Sequence, residues 1–250
     1  MLHDLLRKGW EITMIKLLAF DLDGTLTQHK TLLEPENRDA LLKLSSKYRL
    51  VMVGAGNCRR IFRQMGDFPI DVIGNYGMQC GRYNARTKEL DIEESHVPCD
   101  RESVEDRVAM LRERYGFTEY SGESVQFHDS GCVTFPVLGT TANAADKLEF
   151  DPDRSRRRAI YPEVCRVFSD FNVFVGGSSS FDMAPRPYNK YYALQAYANA
   201  NGFGMDEVVY VGDDYGTGGN DESVYLSGVR FIPVDDYRDF PEIMVREGIL

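Results

Sequence analysis

The apolar run Ile15-Lys16-Leu17-Leu18-Ala19-Phe20 breaks into Asp21-Leu22-Asp23-Gly24-Thr25, and no other stretch constrains the chain as much. A buried strand here delivers two carboxylates, two residues apart, to the carboxyl edge of a sheet, where open α/β sheets place their ligands. One carboxylate is placed to attack phosphorus and the other to move a proton, and glycine lets the backbone turn tightly beside a metal and a phosphate. The chemistry implied is phosphoryl transfer through an aspartyl-phosphate. An EF-hand loop also contains D-x-D-G, but it needs glycine at its sixth position and glutamate at its twelfth. Here Gly24 stands at the fourth position and Leu32 at the twelfth. An ordinary turn accounts for Asp-Gly but not for the second carboxylate.

The elements that follow alternate. Residues 36–48 carry Ala40, Leu41 and Leu44 at helical spacing, with Pro35 favourable near the start. Leu50–Val53 reads as a second strand, the loop Gly54-Ala55-Gly56-Asn57 leads into a helix ending near Met65, and residues 72–73 suggest a third strand. This βαβαβ rhythm predicts a parallel sheet. From about Gln79 to Asp182 the rhythm changes to hairpin-like strand candidates (79–83, 89–92, 125–128, 132–137, 173–175 and 179–183) with helices near 101–115 and 154–171. The pattern predicts an α+β insertion. After Pro185 the alternation resumes. The expected organisation is a core of residues 14–81 and 184–250, a cap of residues 82–183, and an N-terminal extension over residues 1–13.

Composition narrows the function classes. A formal net charge of −10 opposes a non-specific nucleic-acid surface. A phosphorylated substrate must therefore be drawn in by local cations within about a Debye length. The basic cluster Arg154-Ser155-Arg156-Arg157-Arg158 is flanked by Asp151, Asp153 and Glu163 and reads as a solvated helix face. Five scattered cysteines form no disulfide framework or zinc motif. No stretch reaches the about 18 apolar residues of a membrane span. Residues 1–13 lack the apolar core of a signal peptide, so the expected location is cytoplasmic, with no membrane partner.

A second strand candidate, Val208–Val211, ends in Gly212-Asp213-Asp214, followed by Gly218-Gly219-Asn220-Asp221. In a parallel sheet its tip faces the same edge as Asp21, so Asp213 is expected to share a hard cation with Asp21; Mg²⁺ prefers such oxygen ligands. Lys190, opening the preceding helix, is the cation expected to offset charge between nucleophile and phosphoryl oxygens.

These residues resemble the first, third and fourth motifs of the haloacid dehalogenase (HAD) superfamily, and the insertion resembles that superfamily's type-two (IIB) cap. A closer resemblance is to eukaryotic-type phosphomannomutase, in Phe20-Asp21-Leu22-Asp23-Gly24-Thr25-Leu26-Thr27, Ser180-Phe181-Asp182, Asn189-Lys190-Tyr191-Tyr192-Ala193-Leu194 and Gly212-Asp213…Gly218-Gly219-Asn220-Asp221. The resemblance implies a Rossmann-like α/β core with an inserted α+β cap, a Mg²⁺ cofactor and a small phosphorylated substrate. Asp21 would be the nucleophile and Asp23 the general acid/base. Asp21, the Asp23 carbonyl and Asp213 would hold the ion, with Asp214 and Asp221 in or near its shell. Lys190, Gly56 and Asn57 would bind the transferred phosphoryl group, Lys147, Phe181 and Asp182 would meet substrate from the cap, and a homodimer through the cap is the expected assembly.

Two departures separate the chain from this pattern. The loop after the second strand lacks the serine or threonine hydroxyl that holds a phosphoryl oxygen, for which backbone N–H groups or the Asn57 amide are the expected substitutes. Where the mutases carry cap arginines, the best register puts Asp129, Thr140 and Lys147, and Lys also lacks the bidentate fork. Lys30, Arg82 and Arg186 are candidate replacements. The expected activity is accordingly a phosphatase on a sugar phosphate, ahead of a phosphomannomutase and of a non-catalytic phospho-ligand-binding protein.

Overall fold

The structure, a computed structural model, describes residues 14–250; the expected extension over residues 1–13 lies outside the described residues. The apolar run forms β1 (Leu17–Phe20), followed by α1 (Pro35–Ser45), β2 (Arg49–Val53), α2 (Cys58–Gln64) and β3 (Asp71–Gly74). β4 (Gln79–Asn84) and β5 (Glu89–Glu94) make a hairpin. Next come α3 (Arg101–Tyr115), β6 (Gln126–Phe127), β7 (Val133–Pro136), α4 (Ala144–Phe150), α5 (Ser155–Val167), β8 (Phe171–Phe174) and β9 (Ser180–Pro185). Last are α6 (Lys190–Ala200), β10 (Val208–Gly212), α7 (Glu222–Tyr225), β11 (Arg230–Pro233) and α8 (Phe240–Arg246).

A seven-stranded sheet runs in the order β11-β10-β1-β2-β3-β4-β5. Its first five strands are parallel and the β4–β5 hairpin adds an antiparallel edge. Both faces are covered, as a parallel sheet requires. Leu18 and Phe20 pack with α1, α2 and α8 on one face, through Leu41, Ile61 and Phe240 among others. Leu17 and Ala19 meet Leu194, Tyr197 and Ala198 of α6 on the other. Residues at i and i+2 of β1 thus serve one layer and their neighbours the opposite layer.

The hairpin corrects the expected boundary at residue 82. That position lies inside β4, whose partners are β3 and β5 of the large sheet. The second sheet has four strands, ordered β6-β7-β9-β8. One of its faces packs on α3 and α5, with Phe135, Phe181 and Met183 set against Val108, Leu111, Val164 and Phe168. Along β9 the alternation leaves Ser180 and Asp182 on the other face.

That other face meets the large-sheet unit. Phe174 stacks on Tyr76, centroids 4.3 Å apart, beside Ala184. The basic segment at the start of α5 corrects its reading as a solvated face. Arg157 is fully buried and pairs with buried Asp151 at 2.8 Å. Arg154 pairs with Asp214 at 2.7 Å, and Arg158 Nε donates to the Thr217 carbonyl at 3.2 Å. Among the described residues, no helix is long and apolar enough to cross a membrane.

Candidate active site

Register decides the site. Phe20 lies opposite Val211 in the parallel β1–β10 pair, and the Asp21 N–H donates to the Val211 carbonyl at 2.9 Å. The two strands therefore release Asp21 and Gly212-Asp213 at the same sheet edge. Carboxylate oxygens of Asp21, Asp213 and Asp221 all lie within 4.8 Å of one another. Gly24 completes the turn at φ +100°, and a β-carbon there would lie 2.6 Å from Asp213 Cγ. A larger residue would be strained by the dihedral and would strike the Asp213 carboxylate. Thr25 donates its hydroxyl to Asp213 Oδ1 at 2.9 Å, a contact the motif contained but the sequence reading assigned no role.

Lys190 enters from the first position of α6, capped by Asn189, whose side chain accepts the Tyr192 N–H at 2.8 Å. A cation at a helix N-terminus is opposed by the helix dipole. Here two carboxylates outweigh that: Nζ lies 2.7 Å from Asp21 Oδ1 and 2.7 Å from Asp221 Oδ1, with the lysine fully buried. Burial disfavours its charge, but Asp21 and Asp221 dominate and keep it protonated well above the ordinary lysine range.

Asp221 is saturated. Its Oδ1 also accepts the Tyr210 hydroxyl at 2.5 Å, while Oδ2 accepts the Asp213 and Asp214 N–H groups at 3.2 and 3.0 Å. With all four donors in place it orders the loop that presents Asp213 and fixes the lysine. Asp214 turns the other way, to Arg154 of the α5 segment.

Asp23 is not part of this cluster. Its Oδ1 accepts the Lys30 N–H at 2.8 Å and the Gln64 amide at 2.6 Å, and its Oδ2 accepts Arg60 Nη1 at 3.2 Å. Burial alone would raise its pKa, but these donors and His29 outweigh it and hold the carboxyl below its usual range. Arg60 and Gln64, one helical turn apart on α2, were missed by the sequence reading. Their i, i+4 spacing behind the Asn57 cap was the available signal.

Other expected contacts fall elsewhere. Phe181 is fully buried and stacks on Phe135 at 5.9 Å inside the smaller sheet's core, so it faces no substrate. Asp182, its neighbour, lies on the opposite face, where Thr134 donates to it at 3.0 Å. Burial raises its pKa, opposed by Thr134 and more weakly by His128, Arg157 and Lys30. Lys147 Nζ donates to the Thr140 carbonyl at 3.2 Å. The Asn57 side chain caps α2 by accepting the Arg60 N–H at 2.8 Å, and the Cys58 N–H is taken by Gln79 Oε1 at 2.8 Å. The Cys58 N–H, one of the backbone groups expected to replace the missing hydroxyl, is thus already engaged, while the Asn57 bond uses only its oxygen and leaves the amide N–H groups without a partner among the described residues.

The donor set suits a hard divalent ion. Three carboxylates face one ammonium, and Asp213 is pushed up to about 6 by burial and by Asp221, with Lys190 and Thr25 opposing. Asp21 is raised well above the usual range by burial, then by Asp221 and Asp213, against Lys190. Such uncompensated charge is what oxygen-ligated Mg²⁺ neutralises. Because an acid raised in the fold favours the protonated protein, the contribution of Asp213 to metal-free stability declines as pH rises from about 4 through about 6. In chelator at pH 7.5, Asp213→Asn should therefore melt about 5 °C above wild type. The difference should vanish near pH 3.5 and the variant should lose the stabilisation that Mg²⁺ gives wild type. Equal melting at both pH values would contradict the charge assignment.

The mostly parallel sheet with its inserted second sheet has the Rossmann-like α/β fold of the HAD superfamily. Solved structures agree. A haloacid dehalogenase-like hydrolase from Bacillus subtilis superposes with a TM-score of 0.64 at 15% identity, covering 94% of this chain and 100% of that one. An IMP-nucleotidase from Plasmodium falciparum gives 0.69 at 13%, covering 95% and 69%. Among curated proteins, the phosphomannomutase of Saccharomyces cerevisiae is 26% identical over 219 residues, 84% of this chain and 85% of that protein. A probable phosphomannomutase of Caenorhabditis elegans is 24% identical over 226 residues, with 84% and 85% covered. The profile of the family described as eukaryotic phosphomannomutase matches residues 108–233. The chain belongs to that family, whose members are enzymes of the HAD superfamily acting on phosphorylated small molecules.

Proposed function

We propose that the protein is a Mg²⁺-dependent phosphatase acting on a sugar phosphate through a phosphorylated Asp21. The observation that carries this reading is the Lys190 ammonium shared at 2.7 Å by Asp21 and Asp221, with Asp213 alongside at the same sheet edge. Lys190 occupies Asp21 Oδ1, which leaves Oδ2 to attack phosphorus. Asp21, Asp213 and the Asp23 carbonyl would hold Mg²⁺, which when bound supplies positive charge against the phosphoryl oxygens. Asp221 orients the lysine and the loop. Asp23, a carboxylate held by three donors in the resting site, takes up a proton as the phosphorylated substrate binds, gives it to the leaving oxygen, and then takes one from the attacking water. The smaller sheet, stacked over the edge through Phe174 and Tyr76, excludes bulk water.

Hydrolysis ranks above mutase chemistry because a mutase must grip phosphate at both ends of its substrate. Of the three cap positions where arginines were expected, only Lys147 is basic, and its ammonium is hydrogen-bonded within the cap. Phosphohexose interconversion is the second reading, favoured because the family match spans cap residues. Steady-state phosphate release from hexose 1- and 6-phosphates, compared with their interconversion with and without a hexose bisphosphate, tests the choice. Interconversion outrunning release would overturn the hydrolase. Asp23→Asn should slow the single-turnover phosphorylation of the protein by alkyl phosphates by about 10²–10⁴-fold while sparing phosphorylation by p-nitrophenyl phosphate, whose leaving group needs no proton; the later attack of water, which also uses Asp23, slows for both. Equal losses in the phosphorylation step would remove the acid role.

A further inference from the structure

The loop Gly54-Ala55-Gly56-Asn57 has no hydroxyl to hold a phosphoryl oxygen, and an arginine occupies the space such a side chain would need. A β-carbon on Gly56 would lie 2.5 Å from Arg60 Nε and 2.7 Å from its Cζ, and would overlap Nη2. The guanidinium is anchored from one side only: Nη1 donates to Asp23 Oδ2 at 3.2 Å and to Gln64 Oε1 at 2.9 Å. Among the described residues, Nε and Nη2 make no hydrogen bond. These two nitrogens form the edge whose parallel N–H groups match two oxygens of a phosphate, and that edge lies against Gly56. A side chain at position 56 and the guanidinium in this place exclude each other.

We propose that Arg60 is the phosphoryl-oxygen donor of this loop, and that glycine at position 56 is what gives it room. The inference rests on the phosphotransferase reading above and deepens it: the missing hydroxyl is replaced by a charged fork, which suits a dianionic phosphomonoester better than a neutral ester. Arg60 also steadies Asp23, so its two roles have to be separated in the test.

Inorganic phosphate titrated calorimetrically into the full chain with Mg²⁺ does this without turnover. Arg60→Ala should weaken phosphate binding by about 10–100-fold, the range for hydrogen bonds to a charged group, and Arg60→Lys by less. Gly56→Ser should weaken it comparably, because the new side chain displaces the guanidinium. Adding Gly56→Ser to Arg60→Ala should cost nothing further or restore affinity, because the hydroxyl then has the space to itself. On an Asp23→Asn background, where no carboxylate is left unpaired, Arg60→Ala should still weaken binding about tenfold or more. Affinity within about twofold on that background, or no phosphate binding by wild type, overturns the proposal. Absence of sugar-phosphate turnover by a wild type that binds phosphate would overturn the hydrolase reading alone, and the affinities would still decide for or against Arg60.

Discussion

Asp21→Asn should abolish turnover, lowering kcat by roughly 10⁴-fold or more, while the protein folds and melts at least as well as wild type. The rate effect follows from geometry: among the described residues only Asp21 combines a strand-tip position with an ammonium at 2.7 Å from one oxygen, its other oxygen left for attack. An amide in its place keeps the shape and loses the nucleophile. The stability effect has the opposite sign because Asp21 is buried among carboxylates that raise its pKa, so ionising it costs the folded state free energy above about pH 4. Rapid-quench detection of a phosphorylated protein in wild type and its absence in the variant would tie both effects to one residue. A variant that retains even a hundredth of the wild-type rate would exclude Asp21 as the attacking group.

Lys190→Met should damage both folding and activity. It keeps most of the side-chain volume but leaves Asp21 and Asp221 buried without their shared cation. Removing one partner of a buried ion pair costs about 3–5 kcal/mol, because the remaining charge stays uncompensated. Denaturant unfolding at pH 7 should show this loss. It should shrink as the pH falls and Asp21, whose pKa burial already raises, takes up a proton. Pairing Lys190→Met with Asp221→Asn should recover part of the stability, since the surplus charge is then gone, but none of the activity. A single variant as stable as wild type at pH 7 would show that the ammonium does not hold the two loops together.

Much of this site was readable in the chain itself, because its parts are local. A strand, a D-x-D-G turn and a late strand ending in Gly-Asp each announce themselves within a few residues, and parallel pairing brings both tips to one edge. The lysine was readable only in company, since nothing in the sequence shows that residue 190 is fully buried. The hairpin at 79–94 was placed as strands but given to the wrong sheet: alternation tells which residues share a face, not which strand lies alongside. Phe181 was misread despite a usable signal. The alternation Ser180-Phe181-Asp182-Met183 already puts the phenylalanine with Met183 on the apolar face. The arginines at 154–158 looked solvated because their partners, Asp151 aside, are remote in sequence. Arg60 offered only its helical spacing to Gln64 and its nearness to Gly56; its pairing with Asp23, remote in sequence, comes from the fold.

The turn between β10 and α7 is fastened from the far side of the cleft. Arg154 holds Asp214, Arg158 holds the Thr217 carbonyl, and the Val175 N–H donates to the Gly218 carbonyl at 2.8 Å. Displacing the smaller sheet would break all three fastenings on the segment that carries Asp213. The order of the loop that carries Asp213 and the seating of the smaller sheet against it are therefore a single property.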